Sequence, residues 1–353
     1  MAQSADAPRV TFLSELRSAV TPRAGLLVLG VLVLQLLFIA SYVGALHEPK
    51  PQDVPFGVVA PPARVDRAVA ELDRLSDDPL APRAVGSAQE ARRKIIEREL
   101  DGALIIDPDR PADTLLVASG GGNSLATALK TLGAEIERSQ QRSLRVVDVA
   151  PASAHDFSGL SSFYLVVGWC VGGYLCASIL AVSAGTSRAS TVQRAALRLL
   201  TMAVYAILGG LLGTLIAGPI LGALPGSVWG LWGLGTLVVF AVGAATLALQ
   251  ALTGVIGIGI AVLLVVIAGN PSAGGALALP LLPPFWRAIG PALPPGAGTW
   301  AARSIAYFEG NALLGPLLVL SAWAVLGTAV TLAMSAWRGA HRPARPAPAR
   351  PAT

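Results

Sequence analysis

Two histidine–acid pairs, His47-Glu48 and His155-Asp156, bracket the most polar stretch of this 353-residue chain. Brought together they would form a small metal or pH-sensing cluster. Histidines at the two ends of a domain are far more often plain solvated residues, so no metal is expected. Asp107 and Asp109, in the run D-P-D-R, read as turn formers. Gly120-Gly121-Gly122 precedes a helical pattern, where backbone amides can accept an anion, but reads as a turn. None of the three lysines, Lys50, Lys94 and Lys130, follows the glycines of a P-loop, so ATP binding of that kind is excluded. Cys170 and Cys176 lie six residues apart in one apolar run, on different helix faces, and suit neither a disulfide nor a metal. No nucleophile with its base and no paired acids occur; the chain is not expected to be an enzyme or to hold a cofactor. The most decisive feature is an absence: from Phe157 to Phe308 there is no Asp or Glu. Proton-driven carriers commonly place a carboxylate at membrane depth. Without one, the energy for any transport has to come from outside this polypeptide.

These residues sit in a membrane-protein composition. Hydrophobic residues make up 54% and charged residues 13%, with a mean hydropathy of +0.63, outside the range of a soluble domain of this length. Arginine outnumbers lysine by 23 to 3, which fits a GC-rich coding sequence better than a nucleic-acid-binding surface. Apolar runs long enough to cross about 30 Å of hydrocarbon fall at 24–46, 161–184, 199–222, 229–251, 253–270 and 313–336, with the fourth and fifth nearly fused. The expected fold is therefore an α-helical polytopic membrane protein with six transmembrane helices. The first run exceeds a signal-peptide core and reads as an uncleaved anchor. Arg9, Arg17, Arg23, Arg188, Arg194, Arg198, Arg338, Arg342, Arg345 and Arg350 fall on one side of this arrangement, and only Arg287 and Arg303 in the opposite short loops. The positive-inside rule then puts both termini in the cytoplasm of a bacterial plasma membrane. Residues 1–23 carry a short amphipathic pattern, and 337–353 form a Pro-rich basic tail suited to anionic lipid.

Residues 47–160 hold 14 of the 26 basic and 18 of the 21 acidic residues and read as an extracytoplasmic α/β domain between the first two spans. Strands are expected at 56–60, near 84–85, at 103–106, 115–118 and 145–149, and helices at 64–75, 88–100 and 124–144. Gly102 is the expected stop of the second helix. Gly168 and Gly172, Gly209 and Gly213, and Gly230, Gly233, Gly243, Gly254 and Gly257 offer small surfaces where helices could approach closely. Tyr42, Phe163, Tyr164, Trp229, Trp232, Trp286, Trp300, Tyr307, Phe308 and Trp337 suit an interfacial aromatic belt.

Within the five-helix portion 161–336, residues 270–311 are crowded with Pro271, Pro280, Pro283, Pro284, Pro291, Pro294 and Pro295. Such a segment cannot continue a helix and is expected to lie on, or dip into, a membrane face. Pro283, Pro284, Trp286 and Arg287 are its candidate functional residues, as a re-entrant piece can line a lateral exit for an amphiphile. The pattern of GG, P-L-L-P-P-F, a short amphipathic piece and L-P before a small-residue run with Arg resembles the segment preceding the last span of ABC type-2 permeases. The closest likeness is to the YhgE/Pip (phage infection protein) branch; QEARRKIIERELDGALIID at 89–107 resembles the helix, Gly turn and strand of its outer part. The chain differs from the largest members in its short outer domain without a long coiled coil. The resemblance implies an export-type permease subunit that works as a homodimer or heterodimer with a separate ATPase subunit and moves a hydrophobic or lipid-like compound. It also puts Arg188, Arg194 and Arg198, in the loop 185–198, where such permeases touch their ATPase. The same arginines serve equally well as topology signals. An alternative reading is a non-transporting scaffold whose outer domain binds a cell-envelope partner.

Overall fold

The computed structural model describes residues 21–183 and 191–341. The expected amino-terminal amphipathic piece, the basic tail beyond His341 and Arg188 lie outside the described residues. Five helices are long and apolar enough to cross a membrane: α1 (Pro22–Leu46), α5 (Ser161–Ser183), α6 (Val192–Leu215), α7 (Val228–Thr253) and α11 (Leu314–Ala340). The chain is thus built as a membrane-embedded, multi-pass protein.

Between α1 and α5 lies an α/β unit. Its sheet has the order β2-β1-β3-β4-β5, from β1 (Val54–Val59), β2 (Leu80–Ala84), β3 (Gly102–Ile105), β4 (Ala112–Val117) and β5 (Ser143–Asp148). Only the β3–β4 pair is antiparallel. Helices α2 (Pro62–Asp73), α3 (Ala88–Ile96) and α4 (Asn123–Ser139) cover it. Period-two alternation divides the core: Val54, Phe56, Val58, Leu115 and Val117 face α2 and α4, while Ala103 and Leu116 face Ile95 of α3. Asp107 Oδ1 accepts from the Asp109 amide at 3.1 Å, so the D-P-D-R run is the turn its residues predict.

Two expected boundaries move. Helix α3 ends at Ile96 rather than running to Gly102, because Arg98 adopts a left-handed backbone with φ of +62°. Gly102 instead opens β3, where an added Cβ would lie 2.9 Å from Leu129. Helix α6 begins at Val192 with Thr191 as its cap, its Oγ1 accepting from Arg194 N at 3.3 Å. Arg194 and Arg198 therefore lie on the first two turns of a membrane-length helix, not on a loop.

In the bundle α7 is central. Trp169, Gly173 and Ala177 of α5 meet Gly235, Val239 and Gln250 in turn, so α5 and α7 run parallel. Gly210 and Gly213 of α6 meet Thr236 and Trp169, which makes α6 antiparallel to both. An added Cβ on Gly210 would sit 2.6 Å from the Thr236 amide nitrogen, whereas Gly209 has only Tyr205 at 4.0 Å, and Gly168 and Gly233 face open space. Of the expected glycines, Gly172, Gly213, Gly243 and Gly257 do sit at close helix contacts within the chain, and Gly210 joins them. After a turn at Gly254 (φ 74°), the shorter apolar helix α8 (Ile256–Ser272) runs antiparallel to α7: Gly257 abuts Leu249, and Gly269 abuts Pro295, three residues before Gly298, which meets Val238 of α7.

The proline segment is largely helical, a departure from the expected loop. Prolines occupy the first positions of α9 (Pro284–Ile289) and α10 (Pro294–Tyr307), where a missing amide hydrogen costs nothing. Part of the segment enters the α/β unit. Ala278 and Leu281 are buried in the core of the α/β unit, and Pro280 O accepts from Gln52 N at 3.0 Å.

One buried acid makes the unit pH-sensitive. Glu137 is 2% exposed, and its carboxyl is pushed up to about 7 by burial and by the nearby Asp113 charge, against the pull of Arg142. A raised folded pKa gives stability that is full below the unfolded value and lost as the pH climbs through about 7. Glu137→Gln should therefore raise the thermal midpoint of the full chain at pH 8, by an amount on the order of 2 kcal/mol, and leave it nearly unchanged at pH 4.5. Equal effects at both pH values would contradict this assignment.

Candidate functional site

The seam between the α/β unit and the bundle is where charge is buried. Arg303, on α10, is 4% exposed. Its Nη1 donates to Gly274 O at 2.6 Å, and its Nη2 to Gly275 O at 3.0 Å and Gly159 O at 3.3 Å. Gly274 and Gly159 have φ of +70° and +68°, left-handed turns that present these carbonyls. The Arg303 Nε has no hydrogen-bond partner among the described residues, and no carboxylate among them lies within ion-pair distance. The nearest acid by electrostatic effect, Asp156, is committed elsewhere. Its Oδ1 accepts from Leu160 N, Ser161 N and Ser161 Oγ, closing the amino terminus of α5, and its Oδ2 accepts from Tyr307 Oη at 3.3 Å.

Arg98 reaches the same helix from the other side. The left-handed turn after α3 aims its guanidinium across the seam, where Nη1 donates to Trp300 O at 2.9 Å and Ser304 Oγ at 2.8 Å. The guanidinium carbon stands 3.4 Å from the Trp300 ring centre and 4.7 Å from that of Phe308. Burial and the neighbouring Arg303 pull Arg98 down to about 9, and burial pushes the nearby Asp101 carboxyl up to about 6 against the pull of Arg98. Arg98 stays charged at neutral pH, and Asp101 gives up its charge in mildly acidic medium. Asn311 Nδ2 donates to Ile96 O at 3.2 Å, satisfying one of the last carbonyls of α3. Gly120 and Gly121 lie against Tyr307 and Phe308, which makes the glycine triplet a close-packing turn of the seam.

Arg98, Trp300 and Arg303 line a cavity of about 760 Å³ together with Asp53, Asp101, Arg287 and the apolar Leu125, Ala297, Leu314 and Val319. Of the proline-segment candidates, Arg287 alone is among the lining residues. Its Nη1 donates to Gln52 O at 2.9 Å, and its Nη2 pairs with Asp53 at 3.1 Å. Trp286 packs edge-on against Phe285 at 5.1 Å, while Pro283 and Pro284 initiate α9. Trp300, Tyr307 and Phe308, expected in the aromatic belt, are instead seam residues. Trp229 and Trp337 are 75% and 58% exposed on the bundle surface.

The remaining expectations separate. Arg194 and Arg198 lie at the end of the bundle remote from this cavity, because α6 runs antiparallel to α5, whose first residues meet the α/β unit. His47 Nδ1 is engaged with Val43 O at 3.0 Å, and His155 sits beside Gly222. No group of three metal-ligating residues occurs among the described residues. The chain matches no family model, no curated protein and no solved structure.

The seam yields a prediction. Arg98→Ala removes two charge-assisted hydrogen bonds and a cation–π contact, together worth about 2–4 kcal/mol. Hydrogen exchange across α10 should accelerate while β1 and β3 stay protected. Unaltered exchange in α10 would show that Arg98 does not hold the seam.

Proposed function

We propose that the chain is a permease-like subunit of an ABC type-2 exporter, moving a hydrophobic or lipid-like compound with a separate ATPase subunit. The observation that carries this reading is the cavity at the seam. It combines one buried arginine, Arg303, and two partly buried ones, Arg98 and Arg287, with apolar walls at the end of a bundle built of membrane-length helices, as a site for an amphiphile requires. The absence of Asp and Glu from Phe157 to Phe308 supports an external energy source. The resemblance of the proline segment to type-2 permeases supports the class.

In this reading the shorter apolar helix α8, packed antiparallel to α7, is a sixth crossing. The unit then faces outward and both termini face the cytoplasm of a bacterial plasma membrane. Arg194 and Arg198 then lie toward the inner face, where an ATPase would dock together with the sequence neighbour Arg188, and the subunit pairs as a homodimer or heterodimer. A scaffold with a detachable outer binding domain fits less well, because Ala278 and Leu281 complete the core of the α/β unit from the far side of the sequence.

Purification from native membranes should bring down an ATPase subunit. Replacing Arg188, Arg194 and Arg198 together by Gln should reduce its recovery by about threefold to a hundredfold, since each exposed charge pair contributes about 0.2–1 kcal/mol. Full recovery with the triple variant would remove these residues from the docking surface, and uphill transport by the purified chain alone would end the ATPase-driven reading.

A further inference from the structure

The arginine-lined cavity does not end at the seam. A second hollow, about 400 Å³, runs between α7 and α11 and is lined by Ala248, Leu249, Leu252, Trp323, Leu326 and Val330. The two share Val319, and Ala292 of the groove follows directly on Pro291 of the cavity. Trp323 Nε1 donates to Ala292 O at 2.9 Å and fixes the junction. The groove opens sideways on the bundle surface, where Leu252 and Leu326 are 48% and 63% exposed. A largely apolar chamber that carries three arginines thus adjoins, across Val319, an apolar groove of acyl-chain character.

The polar end calls for an anion. Arg303 carries a buried charge whose hydrogen bonds all go to carbonyls, with Asp156 acting on it only at a distance, an arrangement that leaves much of its lost hydration uncompensated. Arg98 makes both of its hydrogen bonds through Nη1, leaving Nη2 and Nε without acceptors among the described residues. Guanidinium groups are fork-shaped donors matched to oxyacid oxygens. Three arginines against two aspartates line the chamber, and Asp53 is already paired with Arg287.

We propose that cavity and groove form one site for a single anionic amphiphile, its phosphate or carboxylate head against Arg98 and Arg303 and its hydrocarbon chain in the α7–α11 groove. As a statement about cargo this rests on the permease reading; as a statement about binding it stands apart from it.

The test uses the purified full chain in phosphatidylcholine nanodiscs, with tryptophan fluorescence and native mass spectrometry as readouts. The probes are oleoyl lysophosphatidate and oleate, oleoyl lysophosphatidylcholine as the zwitterionic control, and inorganic phosphate as a head without a chain. At least one anionic probe should bind about tenfold or more tightly than the zwitterionic one, and which one does identifies the head. Arg98→Gln, which removes the head contact, and Val319→Trp, which blocks the junction, should each weaken that binding about tenfold; two separate variants guard against one failing to fold. Equal affinity for all three amphiphiles, unchanged binding in both variants, or inorganic phosphate binding as tightly as the anionic amphiphile overturns the proposal. Loss of the expected binding with an ATPase still copurifying overturns the site and spares the permease reading, and the reverse pair of results does the opposite.

Discussion

A guanidinium shut away from water without a carboxylate in contact is the constraint around which this molecule is arranged. Desolvating such a charge costs several kcal/mol, and the protein offsets it at Arg303 with carbonyls from two distant segments, Gly159 before α5 and Gly274-Gly275 after α8. Those segments cannot drift from α10 without stranding the charge. Three parts of the chain, two of them separated from the third by more than a hundred residues of sequence, are therefore pinned at one point. Left-handed turns at Gly159 and Gly274 are the local cost of presenting the acceptors.

From that point the seam spreads outward and joins the α/β unit to the bundle as a single packed body. Leu281 and Ala278 enter the core of the unit, Arg287 grips the start of β1, and Arg98 and Asn311 lock the end of α3 onto α10 and its C-terminal turn. A displacement of α10 within the bundle is consequently felt at the sheet, and a displacement of α3 is felt at Arg303. Such mechanical continuity is what a subunit needs if events at the remote end of the bundle are to open or close a chamber at this one. The helices around it are built for close contact: Gly210 and Gly213 let α6 approach α7 and α5. Helix α1, by contrast, keeps most of its apolar side chains on the outside.

Much of the architecture is legible in the residues because its signals are local. The strands and helices of the α/β unit fall within a few positions of where alternation and periodicity place them, and five of the six apolar runs are helices of membrane length. Misplaced boundaries have identifiable causes. Arg194 and Arg198 make the first turns of α6 look like loop, since charge weighs against a membrane helix, although Thr191 is a good cap. Gly102 is the obvious terminator of α3, but the chain turns earlier because Arg98 accepts a left-handed backbone in exchange for contacts with Trp300 and Ser304. Prolines read as breakers, yet at the first position of a helix they are initiators. The seam itself is mostly invisible in the sequence: Arg98 sits in an ordinary charged helical pattern, and nothing nearby announces partners that lie 202 and 206 residues away. Arg303 does carry a signal, a lone arginine among small apolar neighbours in A-A-R-S-I-A, the pattern of an expensive buried charge.

Arg303 is the pin of the seam, and hydrogen exchange of the full chain with Arg303→Met reads that role directly. Exchange should rise together in three places, the turn around Gly159, the stretch 273–278 and α10, with the outer strand β2 unaffected. If faster exchange is confined to α10, the three segments are held by something other than the buried guanidinium, and the central claim is wrong.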